Sequence, residues 1–312
     1  MSFVPVMPVA RDSADQKMSG SQHSSALRPV TELHILTCLF NPARSRRIVE
    51  NYHTFRRMVG DVPLTVIELI YDDDPVIEPR AIHIHGTRQR HSLWQKERLL
   101  NIALDTLPDD VDAVAWFDAD IILPPKWLKD SLEALCENMV VQPFASAHWL
   151  DATWRTERIF AGYADCWAAR RKRTFGHPGF AWIARRSVLQ AGLFDLDLVG
   201  SSDTWMAYFF SGTPLPPGLG LAPQFFIKAL QDWGTPVSKC VSGRLASADQ
   251  QLIHLHHGRY ADRCYDIRRR WMSDAGLERE HIVLDENGLY TIVGNEKFRQ
   301  TMIDYFPSRK DG

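Results

Sequence analysis

Val111 to Trp127, VDAVAWFDADIILPPKW, is the stretch that decides the fold. Val114-Ala115-Trp116-Phe117 is a short apolar run that reads as a fully buried strand. Asp118-Ala119-Asp120 follows, then a second apolar run, Ile121-Ile122-Leu123, closed by Pro124-Pro125. An ionised carboxylate taken out of water must be paired or must bind a metal. A spacing of two residues puts both side chains on one side of an extended chain end. Two hard oxygen donors there suit Mg²⁺ or Mn²⁺, and Mg²⁺ commonly takes one or two carboxylates plus substrate phosphates. Two solvated loop aspartates are the plain alternative. The buried strand before them and the Pro-Pro and helix after them favour the metal.

Upstream, Leu33 to Phe40 (LHILTCLF) reads as a first buried strand, and Asn41-Pro42 as the opening of a helix with Ile48, Tyr52, Phe55 and Val59 on its apolar face. A strand that ends in a polar turn at a helix start is where open α/β sheets place ligands. Leu64 to Ile70 is a second strand, followed by the acidic turn Tyr71 to Pro75, and Ile82 to His85 is a third. Ser92 and Gln95 have the spacing of a capping box for the helix that continues as KERLLNIALDTL. Lys96 and Arg98 lie in its first turns, where cations oppose the helix dipole unless an anion is near. Lys126 to Met139 reads as a helix and Val140 to Phe144 as a further strand.

The chain has 312 residues, 45% hydrophobic and 24% charged, which suits one large globular domain with an appendage. Its formal charge of −2 excludes a global field that draws it to nucleic acid, so any basic site is local. Five scattered cysteines without a C-x-x-C read as reduced thiols in a cytosolic setting. No apolar run reaches the ~18 residues of a membrane span. Residues 1–30 lack periodicity and read as a mobile arm.

One local basic region exists. Arg155 to Arg186 holds eight Lys/Arg against two acids, Glu157 and Asp165, with Trp154, Phe160, Tyr163 and Trp167 interleaved. A polyanion with stacking bases needs this combination; an amphipathic helix covering the sheet, its arginines reaching to water, is the alternative. His177-Pro178-Gly179-Phe180 turns into a strand through Trp182, and Gly200-Ser201-Ser202-Asp203 reads as a turn with Asp203 capping a short helix. The Pro/Gly segment 211–223 has the length of a lid, and Gln224 to Trp233 reads as a helix. Leu252 to Gly258, LIHLHHG, ends a strand in a histidine cluster; alternation sends His254 and His256 to one face and His257 to the other. Imidazoles there suit metals of the Mn class. Tyr260 to Met272 reads as an arginine-rich helix, and Asp285 to Tyr290, with Asn-Gly inside it, as a hairpin turn.

FDAD, GHPGF, GSSD and HLHHG, in that order over residues 31–258, together resemble the GT-A glycosyltransferases, and more particularly small phage-type members with an H-L-x-H-G segment. The resemblance implies an α/β fold with a mostly parallel central sheet flanked by helices, a catalytic domain over 31–258 and a helical extension over 259–312 packed on it. It implies transfer of a sugar, with inversion, from a nucleotide sugar (a UDP-sugar) to an acceptor hydroxyl. Asp118 and Asp120, with His257 and then His254, would hold Mn²⁺ or Mg²⁺, and Asp203 would be the catalytic base, here without the paired acidic neighbour often seen in that family. Phe40, Asn41, Glu68, Lys96 and Asn101 would line the donor site, and Gly179, Phe180 and Trp182 the acceptor side. Some phage-type members glycosylate hydroxymethylated pyrimidines in DNA. That implies double-stranded DNA as partner, gripped by Arg170, Arg171 and Arg173 with Trp154 or Trp167 stacking on a flipped base, in a host cytoplasm. A saccharide or lipid-linked acceptor is the alternative within the class; a non-enzymatic nucleic-acid-binding protein is the alternative outside it.

Overall fold

The computed structural model describes residues 27–169, 176–216, 219 and 221–312. The arm expected over 1–30 lies almost wholly outside the described residues, and so do Arg170, Arg171 and Arg173.

In chain order the strands are β1 (Leu33–Phe40), β2 (Leu64–Tyr71), β3 (Ile82–Gly86), β4 (Ala113–Phe117), β5 (Ile121–Ile122), β6 (Val140–Gln142), β7 (Ser146–Leu150), β8 (Thr156–Ala161), β9 (Ala181–Arg185), β10 (Leu245–Ser247), β11 (Gln251–His254), β12 (Ile282–Leu284) and β13 (Tyr290–Ile292). The helices are α1 (Arg46–Met58), α2 (Arg88–His91), α3 (Lys96–Leu104), α4 (Trp127–Leu135), α5 (Tyr163–Ala168), α6 (Ser202–Ser211), α7 (Gln224–Val241), α8 (Trp271–Asp274) and α9 (Glu296–Ser308). The central sheet has the order β10-β6-β9-β4-β1-β2-β3. Every neighbouring pair is parallel except those made by β9, which runs antiparallel to β4 and β6. Helices cover both faces. One core layer gathers Leu99, Met206, Phe226 and Phe298 from α3, α6, α7 and α9; the other gathers Tyr52, Phe55 and Leu135 from α1 and α4. Burial on both faces is why β1 and β4 are continuous apolar runs. The expected α/β architecture with a mostly parallel sheet therefore holds.

A smaller sheet, β5-β11-β7-β8, stands beside the first. Its β11 pairs with β5, the strand after Asp118-Ala119-Asp120, in the register His254↔Ile121. That pairing brings the histidine cluster to the aspartates. Among the described residues, no helix is long and apolar enough to cross a membrane, and all five cysteines are free.

Several local expectations differ from the structure. Helix α1 starts at Arg46 rather than at Asn41-Pro42, because Ser45 Oγ accepts from Ile48 N at 3.2 Å and caps it. The Ser92/Gln95 capping box does not form. Gln95 is fully buried and bonds both backbone groups of Tyr290 instead, with Nε2 donating to the carbonyl at 2.7 Å and Oε1 accepting from the N–H at 3.2 Å. No amphipathic helix opens the aromatic-basic stretch; residues 146–161 form the antiparallel pair β7/β8. The long helix expected over Tyr260 to Met272 is broken into two 3₁₀ turns and α8, because Cys264 takes a left-handed φ of 53°. The Asn-Gly turn does join an antiparallel pair, β12/β13.

Candidate functional site

A cavity of about 520 Å³ opens at the carboxyl ends of β1 and β4. Two backbone bonds fix the turn that follows β4. Asp118 N donates to Phe180 O at 2.8 Å, and Leu255 N donates to Asp120 O at 2.8 Å. The Asp-Ala-Asp turn is thereby held between the turn that enters β9 and the exit of β11, and both carboxylates line the cavity.

The two carboxylates have different partners. Asp118 Oδ1 lies 2.5 Å from Lys96 Nζ, at the first position of α3, and the same nitrogen lies 3.8 Å from Asp203 Oδ2. These acids are the anion that a cation at a helix start requires. Burial works against the charge on Lys96, but Asp118 and Asp203 outweigh it and hold the ammonium well above the usual lysine range. Burial pushes the Asp118 carboxyl up to about 6 despite Lys96.

Asp120 faces imidazoles. Its Oδ2 lies 2.8 Å from His257 Nε2 and 3.7 Å from His254 Nε2, and the two imidazole nitrogens are 3.1 Å apart. Burial works against ionisation of Asp120. His257, His254 and Arg263 nevertheless hold its carboxyl well below the usual carboxylate range. Burial holds His254 well below the usual histidine range, so its ring is neutral and able to ligate. Ligand atoms of Asp120, His254 and His257 all lie within 4.8 Å of one another, and Asp120 Oδ1 is buried without a hydrogen-bond partner. Two imidazoles and a carboxylate, one of whose oxygens is orphaned, fit a divalent cation of the Mn²⁺ or Mg²⁺ kind. The alternation argument for the histidines is corrected: β11 ends at His254, so His257 turns back onto the same side, and His256 contributes its carbonyl to Asn51 Nδ2 at 3.0 Å. Asp118 is not among these three gathered residues; its Oδ1 lies against Lys96.

Asp203 stands across from this cluster. Ser201 occupies the cap position of α6, without a side-chain cap bond, and Asp203 is the second helical residue rather than the cap. Its carboxylate passes so close to Gly179 that a Cβ there would meet Asp203 Oδ2 at 2.9 Å. Next to it, His177 stacks on Phe180 with ring centroids 4.1 Å apart and accepts from Gly179 N at 3.1 Å. Burial pulls the His177 imidazole down to about 4.

Of the other residues singled out in the sequence, Phe40, Asn41, Lys96, Gly179 and Phe180 line the cavity. Asn41 spends its amide on the loop, bonding Ser45 N and Ser45 O, each at 2.9 Å. Glu68 and Asn101 are away from the cavity. The buried Glu68 carboxylate accepts from Ile77 N and Glu78 N at 2.7 and 2.9 Å, and Asn101 ties down Leu193 and Asp195. Trp182 is a core residue of β9 whose indole donates to Pro178 O at 2.6 Å, so it faces no acceptor. Trp167 packs half-buried against the core, and Trp154 is exposed at the β7–β8 turn with a left-handed φ of 64°. Neither lines the cavity.

The sequence reading missed part of the cavity lining, contributed by Trp94 and by Arg263, Arg268, Arg269, Arg309 and Asp311. Arg268 is nearly fully buried, lies over the Trp94 and Tyr265 rings, and bonds Gly200 O and Tyr305 Oη without an ion-pair partner among the described residues. The signal was the density of arginines among aromatics over 259–271.

No protein-family model matches the chain, and no curated protein matches it. Among solved structures it is similar to glucosyl-3-phosphoglycerate synthase from Mycobacterium tuberculosis in complex with Mg²⁺ and uridine diphosphate: 17% identity over 80% of this chain and 82% of that one, TM-score 0.38. The same enzyme with Mn²⁺ and UDP-glucose gives 15% identity over 84% and 86%, TM-score 0.37. A 4-diphosphocytidyl-2C-methyl-D-erythritol synthase from Anaerococcus prevotii gives 10% over 70% and 87%, TM-score 0.35. These likenesses are loose, and the chemistry of the site rests on this chain's own residues.

Proposed function

We propose that the chain is a divalent-metal-dependent glycosyltransferase that moves a sugar from a nucleotide sugar, a UDP-sugar, to an acceptor hydroxyl. One observation carries this reading: the Asp120–His254–His257 cluster and the Asp203 carboxylate line one cavity together with Arg263, Arg268, Arg269 and Arg309. Asp120, His254 and His257 would hold the cation, which would act as a Lewis acid toward the leaving diphosphate. Arg268 and Arg269 offer guanidinium donors suited to phosphate oxygens, and Phe40 and Trp94, edge to face at 5.5 Å, offer apolar surface to a base or ribose. Asp203 takes the proton of the acceptor hydroxyl as that oxygen attacks the anomeric carbon, which inverts configuration. The acceptor side is the Gly179-Phe180 turn, and residues 31–258 with the wall contributed by 259–312 make the catalytic unit.

Asp120→Ala should abolish transfer and slow hydrolysis of the donor, and excess chelator should do the same to the wild type. Full activity in chelator would end the reading.

For the acceptor we carry forward a 5-hydroxymethyl pyrimidine in double-stranded DNA, on the basic-aromatic composition of 154–173 and on Trp154, the aromatic of that stretch free to stack. DNA binding should then weaken with salt at a log–log slope of about −0.9 per phosphate contact. Transfer to an oligosaccharide or lipid-linked hydroxyl, with none to hydroxymethylated DNA, assigns the acceptor to the saccharide class instead.

A further inference from the structure

A second cavity, of about 230 Å³, lies where α6, α7 and α8 meet. Trp205, Phe226 and Met272 supply apolar walls from those three helices, and Leu219, Leu221 and Ala222, in the segment before α7, supply another. That segment is fastened in place: Ser273 Oγ on α8 donates to Leu221 O, and Ala222 N donates to Leu219 O at 2.8 Å. Close-packed interiors leave few voids larger than a water. At about 30 Å³ each, this one holds roughly eight water-sized groups.

The depth of the pocket is apolar to a ligand. Asp197 lies in the lining at 2% exposure, but its oxygens are engaged: Oδ2 accepts from Trp205 Nε1 at 2.6 Å and Oδ1 from Val199 N at 3.2 Å. The first of these bonds also takes up the indole N–H. The remaining polar residues of the lining are Asp266, Arg269 and Arg270, all exposed, which places them at the mouth. Two guanidiniums there stand against one carboxylate. Arg269 lies over the Trp205 ring at 5.4 Å, makes long bonds to Ser201 Oγ and Thr204 Oγ1, each 3.4 Å, and enters no ion pair among the described residues. Arg270 reaches Asp274 at 3.9 Å, with both side chains exposed.

We propose that this pocket binds a small amphiphilic anion, an apolar chain or ring of about eight carbons with an anionic head. The apolar body lies against Trp205, Phe226 and Met272, where leaving water stabilises it. The head lies between Arg269 and Arg270, whose forked donors suit carboxylate and phosphate oxygens. Arg269 and Asp266 also line the catalytic cavity, so the head sits at the edge of that cavity, beside Ser201 and Thr204. A nucleobase is a poor occupant, because the buried side chains of the lining offer its ring edges no unengaged partner.

Binding is read without a transfer assay, so this proposal and the transferase reading stand or fall separately. In the full chain labelled with ¹³C-methyl methionine, octanoate should move the Met272 methyl signal, assigned by its loss in M272L. By calorimetry, hexanoate should bind roughly tenfold or more weakly than octanoate, at about fourfold for each methylene buried. R270Q should bind octanoate about 2–5-fold more weakly, the range of an exposed ion pair, and should bind 1-octanol as wild type does. A222F, which puts a ring into the pocket, should bind neither. Octanoate that leaves the Met272 signal unmoved, hexanoate that binds as tightly as octanoate, or an R270Q that binds octanoate as wild type does overturns the proposal. The wild-type spectra and the chain-length series decide it even if A222F does not fold.

Discussion

Replacing Glu97 by glutamine should stabilise the protein by an amount that grows with pH. Glu97 is the second residue of α3, 2% exposed, with Oε1 lacking a hydrogen-bond partner. Burial, helped by the nearby Asp203 carboxylate and opposed by Lys96, pushes its carboxyl up to about 8. In the unfolded chain the same group titrates at about 4.3. A carboxyl whose folded value is raised favours folding while it is protonated; that contribution is complete below the unfolded value and is lost as pH rises toward the folded one. Between about pH 5 and pH 8 the unfolded chain has released this proton and the folded chain has kept it. Wild-type stability therefore falls by about 1.4 kcal/mol per pH unit through this one group and levels off above about pH 8. E97Q has no proton to release, so its advantage over wild type should widen by that amount per unit, or roughly 2 °C in melting temperature for a chain of this size. Guanidinium or thermal unfolding of both proteins at pH 5, 6, 7, 8 and 9 reads the difference directly. Parallel curves across that range would show that Glu97 ionises near its ordinary value and that its burial is relieved by a partner or water.

Two further outcomes test the acceptor half of the site. Asp203→Asn should keep cation and donor binding while lowering transfer by about 10²–10⁴-fold, measured as kcat with donor affinity followed separately; wild-type transfer would assign the proton to another group. Gly179→Ala places a Cβ 2.9 Å from Asp203 Oδ2 and against the His177 ring. It should therefore lower transfer strongly with little change in Mn²⁺ affinity, and an equal loss of both would show that the turn supports the whole cavity.

The sequence carried the fold where burial was simple. LHILTCLF and AVAWF lie in the middle of a sheet covered on both sides, and continuous apolar runs say so without the help of periodicity. It misled where a backbone bond overrode a local pattern. Alternation failed at His257 because β11 ends at His254, beyond which Leu255 N bonds Asp120 O and the chain turns. Helical spacing failed at Cys264 because its left-handed backbone breaks the helix, and arginines of the segment line the cavity. Asp311 was illegible for another reason. Its partners, Ser45, His257 and Arg263, are distant in sequence, and no local pattern encodes a carboxylate placed by tertiary contacts alone.

The site also shows how three of the aspartates that line the cavity coexist. Asp118, Asp120 and Asp203 repel one another, and each is offset by a different neighbour. Lys96 stands between Asp118 and Asp203 at 2.5 and 3.8 Å, while the imidazoles of His254 and His257, backed by Arg263, stand against Asp120. Two aspartates separated by a single alanine thus belong to different halves of the cavity. Asp120 faces the cation cluster and, through Lys96, Asp118 faces the carboxylate that would receive the acceptor's proton. A cation that recruited Asp118 as well would have to draw it from Lys96, and the freed ammonium would then lean on Asp203, 3.8 Å away. On the proposed reading, loading the cation and tuning Asp203 as base would in this way be one electrostatic event, carried by a lysine at the first turn of α3 that the helix dipole alone would disfavour.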